Sequence, residues 1–384
     1  MSSYLDNAAT TRCFPEAAKL AAKVMTEEYG NPSSLHGKGI EAEQHLRHTR
    51  RSVAKSLKAR ENEIYFTSGG TEGNNTAIFG TVRARKRRGR HIITTMVEHP
   101  SVYNAFSALE EEGCEVTYLP TDGKGLISLE QLESALREDT ILVSIMHVNN
   151  EVGTIQPIEE AAHIIHQHSP EALFHVDAVQ SYGKLPIYPG RIGVDLMSVS
   201  GHKLHAPKGS GFLYIREKTR ILPLMYGGGQ ERSMRSGTEN VPAIAGLGVA
   251  VDKVFSDNFL HSQNMYRLKQ QLADGVSDIE GVSIHSNLDE TFAPHILSIS
   301  IEGVKSEVML HALEERGVYV SSGSACSSNH PSASRTLLAM GVNREQMDTA
   351  IRFSLSMNTD ESDITAACNA LKDLVPVLRN FQRR

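Results

Sequence analysis

The chain of 384 residues contains no tryptophan and only four cysteines, at positions 13, 114, 326 and 368. These lie far apart, with no C-x-x-C pair and no Cys/His cluster at zinc-finger spacing, so neither a disulfide framework nor a structural zinc module is expected. Seventeen histidines are present but no H-E-x-x-H motif, and pairs such as His45/His48 and His163/His166 fall on polar helical stretches. No resident metal is expected. No apolar run approaches the length of a membrane span, and the opening MSSYLDNAATTRC carries an aspartate and no hydrophobic stretch. Neither a spanning helix nor a secretory leader is expected, which makes the cytoplasm the expected location. A net charge of -6 gives no global attraction for nucleic acid or an anionic membrane. The one basic run, RARKRRGR at 83–90, reads as a solvated helix end.

What is present is a globular composition, 40% hydrophobic and 22% charged, in a chain too long for one core of ordinary size. Short β-branched runs (EIYFTS, HIITTM, EVTYLP, TILVSIMHV, ALFHVDAV, DLMSVS and GFLYIR) alternate with amphipathic stretches. That alternation predicts an α/β domain with a mostly parallel sheet covered by helices on both faces. From about Asn240 to Val276 the pattern is helical, and one long helix is expected to hinge the two domains. Beyond it HILSISIE, SEVMLHALEERG, VYVSS, IRFSLS and a final helix from Glu361 predict a smaller α+β unit, with Gly317 ending the helix that begins near Ser306. The expected division is residues 16–255 as the large domain, and 1–15 with 256–384 as the small one.

Several candidate site residues stand at predicted strand ends, where α/β sheets bind ligands. TSGGTEGNN follows a strand and opens a helix, so its tight turn, with Gly70, the Thr71 hydroxyl and free helix amides, suits a phosphate; a ligand-free turn is the plain alternative. Asp177 ends FHVDAV, where a carboxylate can pair with a protonated pyridine nitrogen, or else cap a helix. Lys203 follows DLMSVS beside Ser200 and His202, and a lysine amine in a partly desolvated pocket can hold an aldehyde cofactor. Gln180 is placed to donate to a phenolic oxygen, and His99 in EHP to stack on a ring and move protons, with a plain loop histidine as the alternative. Arg352 in IRFSLS offers a bidentate fork to a carboxylate, with a structural ion pair as the competing reading. Cys326 lies in SSGSACSSNHPSAS, a stretch of small polar residues whose thiol is suited to receive sulfur. Cys13, Cys114 and Cys368 read as incidental.

These residues fall within an ordered set of motifs: YLDNAATT, NPSSLHGKG, TSGGTEGNN, EHP, MHVNNEVGTIQPI, HVDAVQSYGKLPI, SVSGHKLHAPKG, GGGQER, RSGTENV, SSGSAC and IRFSLS. Running nearly end to end, they resemble the cysteine desulfurases of the nitrogen-fixation and iron-sulfur-assembly type, in the class V aminotransferase superfamily with the pyridoxal 5'-phosphate (PLP) fold-type I. The resemblance implies PLP as cofactor, Lys203 as its Schiff-base lysine, and Asp177 as the pyridine partner. Gln180 and Asn150 would lie near the phenolic oxygen and His99 over the ring. Gly70, Thr71, Ser200 and His202 would hold the phosphate, and Thr238 would reach it from the neighbouring subunit of a homodimer. Arg352 would anchor the substrate carboxylate, with Asn31 bordering the same pocket. The implied activity converts L-cysteine to L-alanine, carries the sulfur as a persulfide on Cys326, and delivers it to an acceptor protein for iron-sulfur clusters, thiocofactors or tRNA thiolation. A transient iron–sulfur contact at Cys326 is the single metal encounter it allows. SSGSAC resembles the branch with a long mobile cysteine loop, and NFQRR ends without the tail that housekeeping members use to engage a scaffold. Within the superfamily the alternatives are an aminotransferase or a selenocysteine lyase; outside it, a cofactor-free sulfur carrier.

Overall fold

The computed structural model of the protein describes residues 2–322 and 334–382. Seven strands form the large sheet, in the spatial order Ile64–Thr67, Gly211–Ile215, Leu196–Ser200, Leu173–Asp177, Thr140–Met146, His91–Thr95 and Glu115–Leu119. All neighbouring pairs are parallel except those made by Gly211–Ile215 with the strands on either side of it. Side-chain alternation explains why the interior strands read as continuous apolar runs. Ile93, Val143, Phe174, Met197 and Phe212 enter one core, while Ile92, Leu142, Leu173, Leu196 and Leu213 enter another on the opposite face. The helix Gly70–Arg85 covers the second face together with Pro100–Glu111; the helix Ile158–His168 belongs to the first.

A second, antiparallel sheet runs Ser321–Ser322, Ala350–Ser354, Ile296–Ile301, Val282–Ile284. It shares its own core with the helices Leu260–Ser277, Ser306–Glu315 and Glu361–Gln382. Gly317 follows the middle one with φ +75°, the left-handed conformation expected of a helix stop. The N-terminal strand Ser3–Tyr4 pairs in parallel with Val318–Tyr319, and Asp6 bridges to Ser354, so the first residues of the chain lie against this second sheet.

The single long helix expected from Asn240 to Val276 is two helices, Val241–Val254 and Leu260–Ser277. Asn258 and Phe259 between them have φ of 58° and 66°, which no α-helix accommodates. Apolar periodicity continues across the break because Phe255 packs on Tyr182 and Phe259 on Phe255, so hydrophobic spacing conceals it. The basic run at 83–90 spans the end of Gly70–Arg85, where Arg85 and Arg88 pair with Glu171.

Candidate active site

The carboxyl ends of four parallel strands and the N-terminal segment enclose a cavity of about 280 Å³. It is lined by Ala8, Ala9, Gly70, Thr71, Asn74, His99, Ser101, Asn150, Asp177, Gln180, Ser200, His202, Lys203 and Arg352, among others. Thus ten of the residues singled out in the sequence, spread over nearly 300 positions, meet in one place.

At one end Gly69, with φ +152°, lets the chain turn sharply from strand to helix, and the amides of Gly70 and Thr71 open the sixteen-residue helix towards the cavity. A Cβ on Gly70 would lie 2.7 Å from Val179 Cγ2, so the turn is closed behind as well as open in front. Ser200 and His202 flank it. Burial, and then the nearby Lys203, push the pKa of His202 down to about 4, so the ring meets a ligand neutral. Its Nδ1 lies 3.2 Å from Thr10 Oγ1.

At the other end stands Asp177, buried on the last residue of its strand. Its Oδ1 accepts from Val179 N (2.9 Å) and its Oδ2 from Asn74 Nδ2 (2.7 Å). Asn74 also donates to Ser101 Oγ at 2.8 Å, and Ser101 Oγ lies 2.8 Å from His99 Nδ1. The backbone amide of Ser101 donates to that same nitrogen at 3.1 Å, so Nδ1 is the acceptor and a neutral His99 carries its hydrogen on Nε2. Burial holds the His99 pKa below the ordinary range, against the opposite pull of Asp177. Behind Asp177, Glu98 is fully buried, its Oε1 accepting from Met146 N and Thr95 Oγ1 at 2.8 and 3.0 Å. Burial first, with a contribution from Asp177, raises its pKa to about 8, so it is a neutral acid at neutral pH.

Between the two ends Lys203 Nζ donates to the carbonyls of Ala8 (2.5 Å) and Ala9 (2.6 Å). The Lys203 carbonyl accepts from Lys184 Nζ at 3.1 Å, and Lys184, buried beneath it, has its pKa lowered to about 7 by desolvation and then by Lys203. Arg352 donates through Nη1 to Asn150 O (2.7 Å) and through Nη2 to Asp6 Oδ1 (3.0 Å). Burial raises the pKa of Asp6 in spite of that arginine.

Three sequence-derived assignments do not gather here. Asn31 is exposed and absent from the cavity wall of its own chain; its Oδ1 accepts from Ser33 N at 2.9 Å in a local turn. Thr238 is exposed and lines a separate hollow with Arg235 and Asn240. Cys326 lies outside the described residues. Conversely, Asn74, Ser101, Glu98, Lys184 and the Ala8 and Ala9 carbonyls were not singled out. Asn74 was accessible to pattern reading: it follows Gly70 by four positions on one helix, and so shares its face.

The sequence pattern of the aminotransferase class-V family matches residues 3–366. The chain belongs to this family. It is 44% identical over 365 residues to a NifS/IcsS protein homolog of Lactobacillus delbrueckii subsp. bulgaricus, covering 94% of each chain. It is 41% identical over 379 residues to the cysteine desulfurase IscS of Methanosarcina thermophila, covering 98% of this chain and 93% of that one. Among solved structures, a NifS-like protein superposes with a TM-score of 0.91 at 39% identity, covering 98% of this chain and 99% of the other.

The class-V family depends on PLP, and the cavity fits that cofactor. Its turn-and-helix end offers hydrogen-bond donors to a phosphate. Its far end is short of donors: Asp177 is a carboxylate, and the neighbouring Asn74 Oδ1 is buried with no partner among the described residues. A protonated pyridine nitrogen supplies what that end lacks. An amine, on Lys203, lies between the two.

Proposed function

We propose that the protein is a PLP-dependent cysteine desulfurase, which converts L-cysteine to L-alanine and carries the sulfur on Cys326 for delivery to an acceptor protein. The observation that carries the reading is the meeting of Lys203, Asp177 and Arg352 in one cavity of a chain 41% identical to a cysteine desulfurase.

Lys203 supplies the amine that takes the cofactor covalently, Asp177 the carboxylate for its ring nitrogen, and Gly70, Thr71, Ser200 and His202 the phosphate site. When bound, PLP supplies an electron sink for the pair released at the substrate Cα. Arg352, held rigid by Asn150 O and Asp6, presents its guanidinium to the substrate carboxylate. The Lys203 amine, which lines the same cavity as Arg352, would serve as the base for the proton at the substrate Cα. His99, neutral with hydrogen on Nε2, is the second group able to hold or pass a proton. The thiolate of Cys326 attacks the substrate sulfur: an S–S bond forms, the carbon–sulfur bond breaks, and the electron pair leaves with the carbon skeleton, which is protonated and departs as alanine.

The working unit in this reading is a homodimer, with Thr238 completing the phosphate site of the partner subunit. Two features support it. Thr238 is exposed and apart from the cavity of its own chain. Large apolar side chains are also exposed without cover, among them Leu35 (97%), Tyr226 (74%) and Tyr29 (68%). Residues 1–15 with 256–384 act as the small domain on the large 16–255, and the site of action is the cytoplasm. Among the described residues no helix is long and apolar enough to cross a membrane.

Incubation with L-cysteine, measuring alanine and protein-bound sulfane sulfur in the wild type and in Cys326→Ala, tests the proposal. Both products are expected from the wild type, and neither from a variant that keeps its cofactor absorbance. Undiminished alanine from Cys326→Ala would overturn the role of that thiol.

A further inference from the structure

His295 belongs to no motif of the active site. It immediately precedes the strand Ile296–Ile301 of the second sheet and is fully buried. Its Nε2 nevertheless lies 3.2 Å from Oε1 of Gln180, three residues beyond the end of the large sheet's strand Leu173–Asp177. Gln180 Nε2 donates to the Ala8 carbonyl at 3.0 Å, the same oxygen that accepts from Lys203 Nζ at 2.5 Å.

A primary amide has nearly the same shape either way round, and its partners decide which end is which. The Ala8 carbonyl only accepts, so the NH₂ group of Gln180 faces it and the carbonyl end faces His295. A carbonyl oxygen cannot donate, so His295 Nε2 must carry the hydrogen. Nδ1 is then a lone pair, buried with no partner among the described residues. Burial first, and then the basic groups Lys184, Lys269, Arg352 and Lys203, hold the pKa of the ring well below its ordinary value, so it is neutral and keeps this single tautomer.

Resting on the PLP reading above, we infer that His295 is a positioning residue: it fixes the amide of Gln180 so that the second NH₂ hydrogen points into the cavity as a donor to the phenolic oxygen of the cofactor. Gln180 lines the cavity, and one of its two amide hydrogens is already committed to Ala8. Without His295 the amide loses one of the two contacts that orient it, and the Ala8 carbonyl alone is left to oppose its reversal. Reversal would set two carbonyl oxygens against each other at Ala8, and a carbonyl lone pair against the phenolate. Loss of orientation therefore costs the cofactor a donor to its ionised oxygen, and the ionised form becomes harder to reach.

The test is a pH titration of the visible absorbance of the lysine-bound cofactor in the holoenzyme, for wild type, His295→Leu and His295→Gln. Glutamine returns a donor at the position of Nε2; leucine does not. The ionisation midpoint is expected to rise by about one pH unit in His295→Leu and to return towards wild type in His295→Gln. A mere packing defect would not separate those two variants. Should His295→Leu fail to fold, His295→Asn, whose amide ends short of Gln180, is compared with His295→Gln in the same way. A cofactor band whose midpoint is the same in every variant overturns the inference and leaves the PLP reading intact. No lysine-bound band in the wild type overturns both.

Discussion

Gly211 lies outside the cavity wall, yet it sets the shape of the turn proposed to hold the phosphate. It pairs with Thr67 on one side and Ser200 on the other, where the large sheet meets the turn that opens the helix Gly70–Arg85. A Cβ at this position would lie 2.5 Å from the Val199 carbonyl oxygen and 2.8 Å from Gly69 Cα. Both obstacles are backbone, so no rotamer change relieves them. Ordinary carbon–carbon contact begins near ~3.5 Å, so in Gly211→Ala the turn must retreat by roughly 0.7 Å. Overpacking of this kind costs about 1–3 kcal/mol. The displaced atoms carry the amides of Gly70 and Thr71, and weakening one charge-assisted hydrogen bond to a phosphate lowers affinity about tenfold. The control is Gly37→Ala, at the start of the helix Gly37–Leu57, where a Cβ meets nothing within 4 Å. That change is expected to be neutral or to stabilise by up to about 1 kcal/mol. Urea unfolding followed by circular dichroism, together with cofactor titration by absorbance, reads both effects. A Gly211→Ala protein with wild-type unfolding midpoint and wild-type cofactor affinity would refute the claim that the strand backbone fixes the turn.

Glu231 is buried against Arg50, at 2.6 Å to Nη2 and 3.1 Å to Nη1, and accepts from Phe66 N at 2.8 Å. Glu231→Gln removes the charge paired with Arg50, leaving it the Ile64 carbonyl, and is expected to cost about 3 kcal/mol in urea unfolding; an unchanged midpoint would mean that the pair is effectively solvated. Glu98 has a folded pKa near 8, raised by burial, against about 4.3 when unfolded. The folded state therefore keeps a proton that the unfolded state loses, and this contribution to stability, full below about pH 4.3, declines as pH rises towards 8. Glu98→Gln cannot titrate, so its stability relative to wild type should climb through that window; the buried His147 and His175, whose pKa values burial depresses, cancel in the subtraction. A flat difference would show that Glu98 ionises in place. In Arg352→Lys the planar fork is lost, and kcat/KM for cysteine should fall at least about tenfold, chiefly through KM. An unaltered KM would place the substrate carboxylate elsewhere.

The parts legible in the sequence are those with a residue-type signature tied to a position. Strands covered on both faces show as apolar runs, and Asp177 and Lys203 stand out because unusual side chains terminate such runs. The break at Asn258 and Phe259 was hidden because both flanking helices bury apolar residues in the same rhythm. Backbone acceptors leave no trace at all, so nothing about Ala8 or Ala9 announced that their carbonyls hold the Lys203 amine. His295 was hidden for a different reason, since its partner Gln180 is 115 positions away and on the other sheet. The motif around Asn31 marks a local turn as readily as a pocket, and in its own chain the turn is what it forms.

The N-terminal motif YLDNAATT acquires a physical meaning from the structure that spacing alone could not provide. Asp6 takes Arg352, and Asn7 Nδ2 donates to Ser354 O at 2.9 Å, two positions further along the same strand. Ala8 O receives both Lys203 and Gln180, and Ala9 O receives Lys203 again. Thr11 Oγ1 donates to His202 O at 2.9 Å and accepts from His205 N at 2.7 Å. Five of the six positions from Asp6 to Thr11 thus tie the Arg352-bearing strand of the second sheet to the lysine-bearing turn of the first. The segment turns at Asn7–Ala9, where Ala9 N and Thr10 N donate to the Asp6 carbonyl at 3.1 and 3.4 Å, and that turn leaves the Ala8 and Ala9 carbonyls facing Lys203. The strap is short, tightly turned and almost without side-chain bulk at residues 8 and 9, and larger side chains there would occupy the cavity that these residues line.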